Sequence, residues 1–428
     1  MYLIASLLGI EGVALDAERR VVSMDLSGGR ISMHLIVLSA DGSAAPVWLD
    51  LGLDPARVHS SCGEEEGLFV CSAIGDIDGD GQPEIVCGVT RADGASLLSF
   101  KRVGDDWVKR VIAEGLDGIE YVRTICTGDV DGDGVDEILL ASRPNGRVLL
   151  FDAQGDGFVQ TIIEDATFGE GTTNAREVLI ADVDGDGRNE LLVTTARTDA
   201  VKWGSTPGVL LVFERDGDGW TRRVVDDFGG ETHTRMMRVG ALGNDSGPLM
   251  VVNEVGIYSR EERRIVRPTR MVVHRLGRDD GARECIAEIE GAVKSRGFAL
   301  GDIDGDGRNA LVLGTRAVEL ADPSYLYAYR QTPDGAWTRE EIERSGSFGY
   351  HFVELIDTDD DGVREVVASD DSRGQIKLYK PGADGWLVRE LIGFPYALFS
   401  IAIHPFPCAA SGHAGESTAG GFADAVAA

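Results

Sequence analysis

The stretch GDIDGDGQPEIV at residues 75–86 decides the fold, because it returns as GDVDGDGVDEIL at 128–139, ADVDGDGRNELL at 181–192, GDIDGDGRNALV at 301–312 and IDTDDDGVREVV at 356–367. The first aspartates of the copies, Asp76, Asp129, Asp182, Asp302 and Asp357, are separated by 53, 53, 120 and 55 residues, and 120 is two periods of 60. A further unit is therefore hidden in the wide interval. The segment GALGNDSGPLMVV at 240–252 fills it, with most of the aspartates lost. Five good copies at one period are the mark of a repeat architecture.

Outward from the loop, each unit reads as a short apolar strand, the aspartate loop, a second strand, a turn, a third strand, a tight hairpin and a fourth strand. In the third unit the strands are REVLIAD, ELLVTTA, GVLLVFER and WTRRVVDD. The hairpin recurs as FKRVGDDW, FDAQGDGF, FERDGDGW, YRQTPDGAW and YKPGADGW, with an aromatic on either side of the turn. Four strands in 50 to 60 residues make a propeller blade. Continuous apolar runs suit strands that are packed on both faces.

Units begin near 68, 121, 174, 233, 294 and 349. The first 60 residues offer RVVSMDL, RISMHLIVLSADG and APVWLDLGL as the second, third and fourth strands of a seventh. Its innermost strand is either MYLIASLLG at the start or LFSIAIHPF at 398–406; the latter closes the ring by pairing the chain ends and removes the free sheet edge. The expected fold is all-β, a seven-bladed β-propeller of four antiparallel strands per blade, with eight blades as the alternative count. One domain spans 1–406, with blades near 1–60, 65–117, 118–170, 171–228, 229–290, 291–345 and 346–406. The small, polar residues 407–428 are expected to be a disordered tail.

The bulk numbers agree. Of 428 residues 43% are hydrophobic, enough for a substantial core, and 56 are glycine, which suits many short strands. A formal charge of −31 argues against nucleic acid and anionic membrane as partners, because such a surface repels phosphate. No apolar run is long enough for a transmembrane helix. MYLIASLLG is short and lacks the basic start and cleavage site of a leader peptide, so it reads as a strand. The six cysteines have neither CxxC spacing nor disulfide-scaffold density, and most of them read as buried free thiols. Six of the 41 basic residues are lysine and the rest arginine.

The loop D-x-D-G-D-G-x-x-E places carboxylates at positions 1, 3, 5 and 9 and a glycine at 6, where the backbone must turn sharply. A hard cation with six to eight oxygen ligands needs this arrangement, so calcium is expected ahead of magnesium or zinc. The expected ligands are Asp76, Asp78, Asp80 and Glu84 with the Gln82 carbonyl; Asp129, Asp131, Asp133 and Glu137; Asp182, Asp184, Asp186 and Glu190; and Asp357, Asp359, Asp361 and Glu365. The loop of Asp302, Asp304 and Asp306 has Ala310 in place of glutamate, which weakens it. Clustered carboxylates repel one another without an ion, so the metal is expected to stabilise the fold.

These loops and strands resemble the FG-GAP or VCBS repeat, found in the propeller of integrin α chains and in many bacterial surface and carbohydrate-active proteins. The resemblance covers roughly residues 65–400 and concerns the fold, not an activity. It implies that each loop joins the first and second strands of a blade and binds calcium on the lower rim. The degenerate loops at 14–22 and 240–250 are expected to hold none.

If the loops mark the lower end of each inner strand, the residues six places earlier mark the upper end: Val70, Arg123, Arg176, Arg235, Arg296 and His351. Tyr121, His233, Lys294 and Tyr350 are near them in sequence. Converging guanidinium groups favour a ligand with carboxylate, sulfate or phosphate, or with several sugar hydroxyls. The competing expectation is that the arginines pair with Glu66, Glu120, Glu177 and Glu231 and only brace the channel. Long upper loops carrying Trp203, Tyr258 and Tyr325 are expected to wall the site.

No nucleophile elbow, phosphate-cradling loop or HExxH motif occurs. The sequence therefore points to a non-catalytic, monomeric binding propeller for a carbohydrate or protein, with a weak lean to the cell exterior. The alternative is a polysaccharide lyase or sugar dehydratase that uses the arginines against an acidic substrate, with His351 or His233 as base.

Overall fold

The computed structural model describes residues 1–15, 21–24, 31–51, 69–91, 94–116, 119, 121–143, 146–164, 173–197, 207–217, 219–259, 261–262, 264–276, 283–290, 294–317, 322–346, 349–383 and 385–407. Apart from one 3-10 turn at Phe228–Gly230, their regular structure is β, arranged as seven antiparallel blade sheets and one two-stranded hairpin, Ile257–Ser259 with Arg264–Arg267. The expected unit starts are met at Phe69, Tyr121, Thr173, Thr234, Lys294 and Tyr350, where the inner strands of blades 2 to 7 begin. These inner strands adjoin one another round a closed ring. Seven blades form, so the alternative of eight is set aside.

Blade 1 is made from both chain ends. Tyr396–Phe406 is its inner strand and pairs with Tyr2–Leu15, with Tyr2 opposite Phe406 and Ala5 opposite Ile403. Ile31–Ser39 and the short Val47–Trp48 follow outward. The expectation that RVVSMDL is the second strand is corrected: Val21–Met24 pairs only with Val13–Leu15, as a hairpin at the far end of the long first strand. The reason is burial on two faces. Leu3, Ala5 and Leu7 pack into the core shared with blade 7, whereas Ile4 packs into the core shared with blade 2. A run that is apolar on both faces belongs inside a sheet that other blades cover on both sides.

The hairpin aromatics divide by position. Phe100, Phe151, Phe213, Tyr329 and Tyr379, before the turn, are buried, and Trp107, Phe158, Trp220, Trp337 and Trp386, after it, are half-buried. Among the described cysteines, Cys71 and Cys87 are buried free thiols as expected, Cys126 is half-buried and Cys285 is exposed. Cys62, Cys408, the tail 408–428 and part of the 14–22 loop lie outside the described residues.

The lower rim carries staples that the repeat pattern alone does not announce. The Asp136 amide donates to the Asp76 carbonyl at 2.8 Å, and the Asp76 amide donates back to Asp136 Oδ2 at 2.9 Å. Asn189 Nδ2 donates to the Asp129 carbonyl at 2.6 Å and Asn309 Nδ2 to the Ala241 carbonyl at 3.0 Å. The Arg364 amide reaches the Asp302 carbonyl at 3.0 Å. In each case position 8 of one loop holds the preceding blade. Gly75 permits the close approach, since a Cβ there would lie 2.5 Å from Asp136 Oδ2.

The closing strand makes a prediction. Ile403 is fully buried, so Ile403→Ala should cost about 2–5 kcal/mol in urea unfolding. A loss below about 0.5 kcal/mol would mean that this pairing does not close the ring.

Candidate functional site

The lower loops are held by their own backbone. Position 1 accepts the amide of position 6 in all five: Asp76 from Gly81 at 2.7 Å, Asp129 from Gly134 at 3.0 Å, Asp182 from Gly187 at 2.9 Å, Asp302 from Gly307 at 2.7 Å and Asp357 from Gly362 at 2.8 Å. Those glycines have φ between 79° and 87°, the left-handed region that favours glycine. Position 9 accepts the amide of position 2: Glu84 from Ile77, Glu137 from Val130, Glu190 from Val183 and Glu365 from Thr358.

Carboxylate oxygens within 4.8 Å of one another then converge in five groups. They are Asp76, Asp78 and Glu84; Asp129, Asp131 and Glu137; Asp182, Asp184 and Glu190; Asp302, Asp304 and Asp306; and Asp357, Asp359 and Asp361. Such groups could hold a metal ion. Four expected ligands stand otherwise. Asp80 lies 2.8 Å from Lys101 Nζ, Glu365 lies 2.9 Å from Lys380 Nζ, Asp186 pairs with Arg188 at 2.6 Å, and Asp133 accepts the Val135 amide at 2.8 Å. Glu137 best fits a cation. Burial, reinforced by the charges of Asp131 and Asp129, pushes its carboxyl up to about 8, and its Oε1 is buried without a hydrogen-bond partner.

At the other end of the inner strands the sheet register breaks in five consecutive blades. Arg123 is skipped between the pairs Val122–Ser142 and Thr124–Ala141, and Arg176 between Ala175–Thr195 and Glu177–Thr194. Arg235, Arg296 and His351 each fall in the equivalent break with the residue that follows. Blade 2, which has Val70 there, pairs without interruption. The extra residue of a β-bulge is released from the ladder and its side chain can be re-aimed. Buried polar side chains on the second strands satisfy the loosened amides. Thr194 Oγ1 accepts from Glu177 at 3.1 Å, Asn253 Oδ1 from Arg235 at 3.1 Å and Met236 at 2.7 Å, and Ser369 Oγ from Phe352 at 3.1 Å.

Arg123, Arg176, Arg235 and His351 line one cavity of about 400 Å³ along the central channel. The side chains of Arg296, Lys294 and Tyr121 lie outside the described residues, as do Trp203, Glu66 and Glu120. His233 is buried but does not line the cavity. Tyr350 turns away: its hydroxyl donates to Glu343 Oε2 at 3.1 Å, within a buried network of Tyr379, Lys377 and Asp370. Tyr325 stacks on Tyr327 within blade 6, and Tyr258 stands on the hairpin Ile257–Ser259 with Arg264–Arg267. The two described glutamates of the bracing expectation bind other arginines, Glu177 with Arg238 at 3.1 Å and Glu231 with Arg267 at 2.9 Å.

Glu177 lines the cavity, and the structure adds three residues that sequence spacing missed, Arg238, Glu354 and His404. His351 Nδ1 is hydrogen-bonded to Asp371 Oδ2, both side chains being buried, and its Nε2 is 3.5 Å from Arg316 Nη1. Asp371 follows the second strand, outside the repeat's conspicuous positions. Burial holds the His404 imidazole down at about 4. Burial likewise raises Glu354, and pushes Glu177 up to about 7 against the pull of Arg238.

The family model of the FG-GAP-like repeat matches residues 129–193, from the loop of blade 3 through the second strand of blade 4. The class so defined is a seven-bladed β-propeller with an FG-GAP-like repeat. A solved protein from Lactobacillus plantarum is 12% identical, covers 94% of this chain and 98% of its own, and superposes with a TM-score of 0.50. A periplasmic gluconolactonase from Pseudomonas aeruginosa is 13% identical, with 94% and 99% covered and a TM-score of 0.45. At such identities the likeness concerns the fold alone. No curated protein matches the sequence. Among the described residues no helix is long and apolar enough to cross a membrane.

Glu177 gives a pH prediction. Its carboxyl rises to about 7 from 4.5, so the folded chain binds its proton more tightly and stability falls as pH rises between those values. Glu177→Gln removes that fall. Relative to the unaltered chain, its unfolding free energy should improve between pH 5 and pH 8 by roughly 2 kcal/mol. Parallel pH profiles from urea titration would rule this out.

Proposed function

We propose that the chain is a calcium-stabilised binding propeller that recognises an anionic carbohydrate, or a protein bearing such groups, at the upper end of its central channel. The observation that carries the reading is the repeated bulge: equivalent register breaks release Arg123, Arg176, Arg235 and His351, and all four line one cavity. Guanidinium groups offer paired donors to carboxylate or sulfate, and a cavity of about 400 Å³ suits a ligand of a few sugar rings at most. On a chain of charge −31, a cationic cavity also selects its ligand by sign.

The calcium part rests on donor chemistry. Aspartate and glutamate oxygens on a glycine-turned loop match a hard ion of flexible, high coordination number, and no His or Cys joins the groups. Asp129, Asp131 and Glu137, and Asp182, Asp184 and Glu190, would hold the ion in blades 3 and 4. There it would neutralise the carboxylates and fix the turn.

A second reading, a lyase or dehydratase acting on an acidic sugar, is favoured by the His351–Asp371 pair. A carboxylate on Nδ1 orients the imidazole, whose Nε2 faces Arg316 Nη1 at 3.5 Å, and the arginines of the cavity would offset the substrate's charge.

One experiment separates the two. A panel of neutral and uronate-containing oligosaccharides is titrated calorimetrically, and the same mixtures are followed by ultraviolet absorbance for unsaturated product. Binding of acidic glycans without turnover, weakened at least tenfold by Arg176→Ala, supports the binding reading. Product formation abolished by His351→Ala supports the enzyme. Binding that ignores Arg176→Ala overturns the role given to the bulges.

A further inference from the structure

One third-strand position recurs in each blade that has an aspartate loop. It follows the aromatic that opens the hairpin, and it is Lys101 in blade 2, Asp152 in blade 3, Glu214 in blade 4, Arg330 in blade 6 and Lys380 in blade 7. The loops are nearly identical, yet this neighbour changes sign. Only six lysines occur among the 41 basic residues, and two of them stand here.

Both lysines reach the heart of their loop. Lys101 Nζ lies 2.6 Å from Asp78 Oδ2, 2.8 Å from Asp80 Oδ2 and 3.0 Å from Glu84 Oε1. Lys380 Nζ lies 2.6 Å from Asp359 Oδ2, 3.1 Å from Asp361 Oδ2 and 2.9 Å from Glu365 Oε1. In both blades the carboxylates of positions 3, 5 and 9 converge on one ammonium. Those are the positions expected to hold a metal ion. A compact ammonium with three donors matches three converging carboxylates better than a planar guanidinium would.

Blades 3 and 4 have no lysine at this position. Asp152 adds a negative charge beside Asp131 and Asp133, Glu214 pairs with Arg223 at 3.1 Å rather than with its loop, and in blade 4 Arg188 reaches Asp186 alone at 2.6 Å. Arg215 comes no nearer to Asp131 than 3.8 Å. Blade 6 has lost its glutamate to Ala310, and its aspartates are paired by Arg308 and by Arg330, whose Nε is 2.8 Å from Asp304.

We infer that Lys101 and Lys380 take the place of the divalent ion in blades 2 and 7, so that these two loops close on an internal ammonium while the loops of blades 3 and 4 require metal. A divalent ion and an ammonium sharing three carboxylates would stand a few ångströms apart and repel, and the tethered lysine is always at hand. The expectation of calcium at Asp76 and Asp357 is revised accordingly. The inference rests on the metal reading of blades 3 and 4, but its test reads the change caused by each lysine rather than the total.

Native mass spectrometry after dialysis against calcium counts the bound ions in the unaltered chain, in Lys101→Asp and in Lys380→Glu, which copy the residues of blades 3 and 4. Each substitution should add one calcium. An unchanged count in folded variants overturns the inference, as does an unaltered chain that already holds four. A count of zero in the unaltered chain defeats the metal reading of blades 3 and 4 instead. Lys101→Met supplies a readout that does not depend on counting. Its melting temperature should drop in chelator by more than that of the unaltered chain and recover with calcium, and an unmoved melting temperature counts against the lysine's role.

Discussion

Carboxylates grouped within a few ångströms cannot all stay ionised on a folded rim unless positive charge joins them. Five such groups sit where the inner strand of a blade passes to the second. The same loops carry the staples that tie one blade to the next, from Asp136 to Asp76, Asn189 to Asp129 and Arg364 to Asp302. Charge neutralisation at a loop therefore also sets the geometry of a blade junction. The fold meets the requirement with arginines in blade 6 and lysines in blades 2 and 7, whereas in blade 4 Arg188 reaches only Asp186 and in blade 3 Arg215 stands 3.8 Å from Asp131.

The opposite end of the inner strands repays the regularity of the lower rim. A loop fixed at one end of a strand of constant length puts the bulge at a constant height, so a ring of side chains follows from the repeat. Blade 2 is instructive because Val70 replaces the arginine and the bulge disappears with it. Thr194, Asn253 and Ser369, buried on the second strands, are the local support for the interruption. The two ends of the inner strands thus carry different chemistry: grouped carboxylates at the loops, and Arg123, Arg176, Arg235 and His351 in the cavity.

Most of the architecture was legible in the sequence because the period of the aspartate loops and the paired hairpin aromatics are local signals. Blade 1 was harder. Its inner strand Tyr396–Phe406 pairs with Tyr2–Leu15 across 382 residues at Ala14 with Tyr396 and 404 at Tyr2 with Phe406, and RVVSMDL looks as strand-like as MYLIASLLG until burial on both faces is weighed. Arg123, Arg176, Arg235 and His351 were found by counting along the strand. Asp371 and Arg238 were not, since their places depend on how blades sit against one another. The lysines at 101 and 380 were visible as letters, but their meaning needed the third dimension.

The central claim is that cations gripped by the lower loops hold the ring closed. Thermal unfolding with and without a calcium chelator tests it most directly. Chelation should lower the melting temperature by at least about 5 °C, with full recovery on adding calcium in excess. Superimposable curves in chelator, calcium and buffer alone would contradict it.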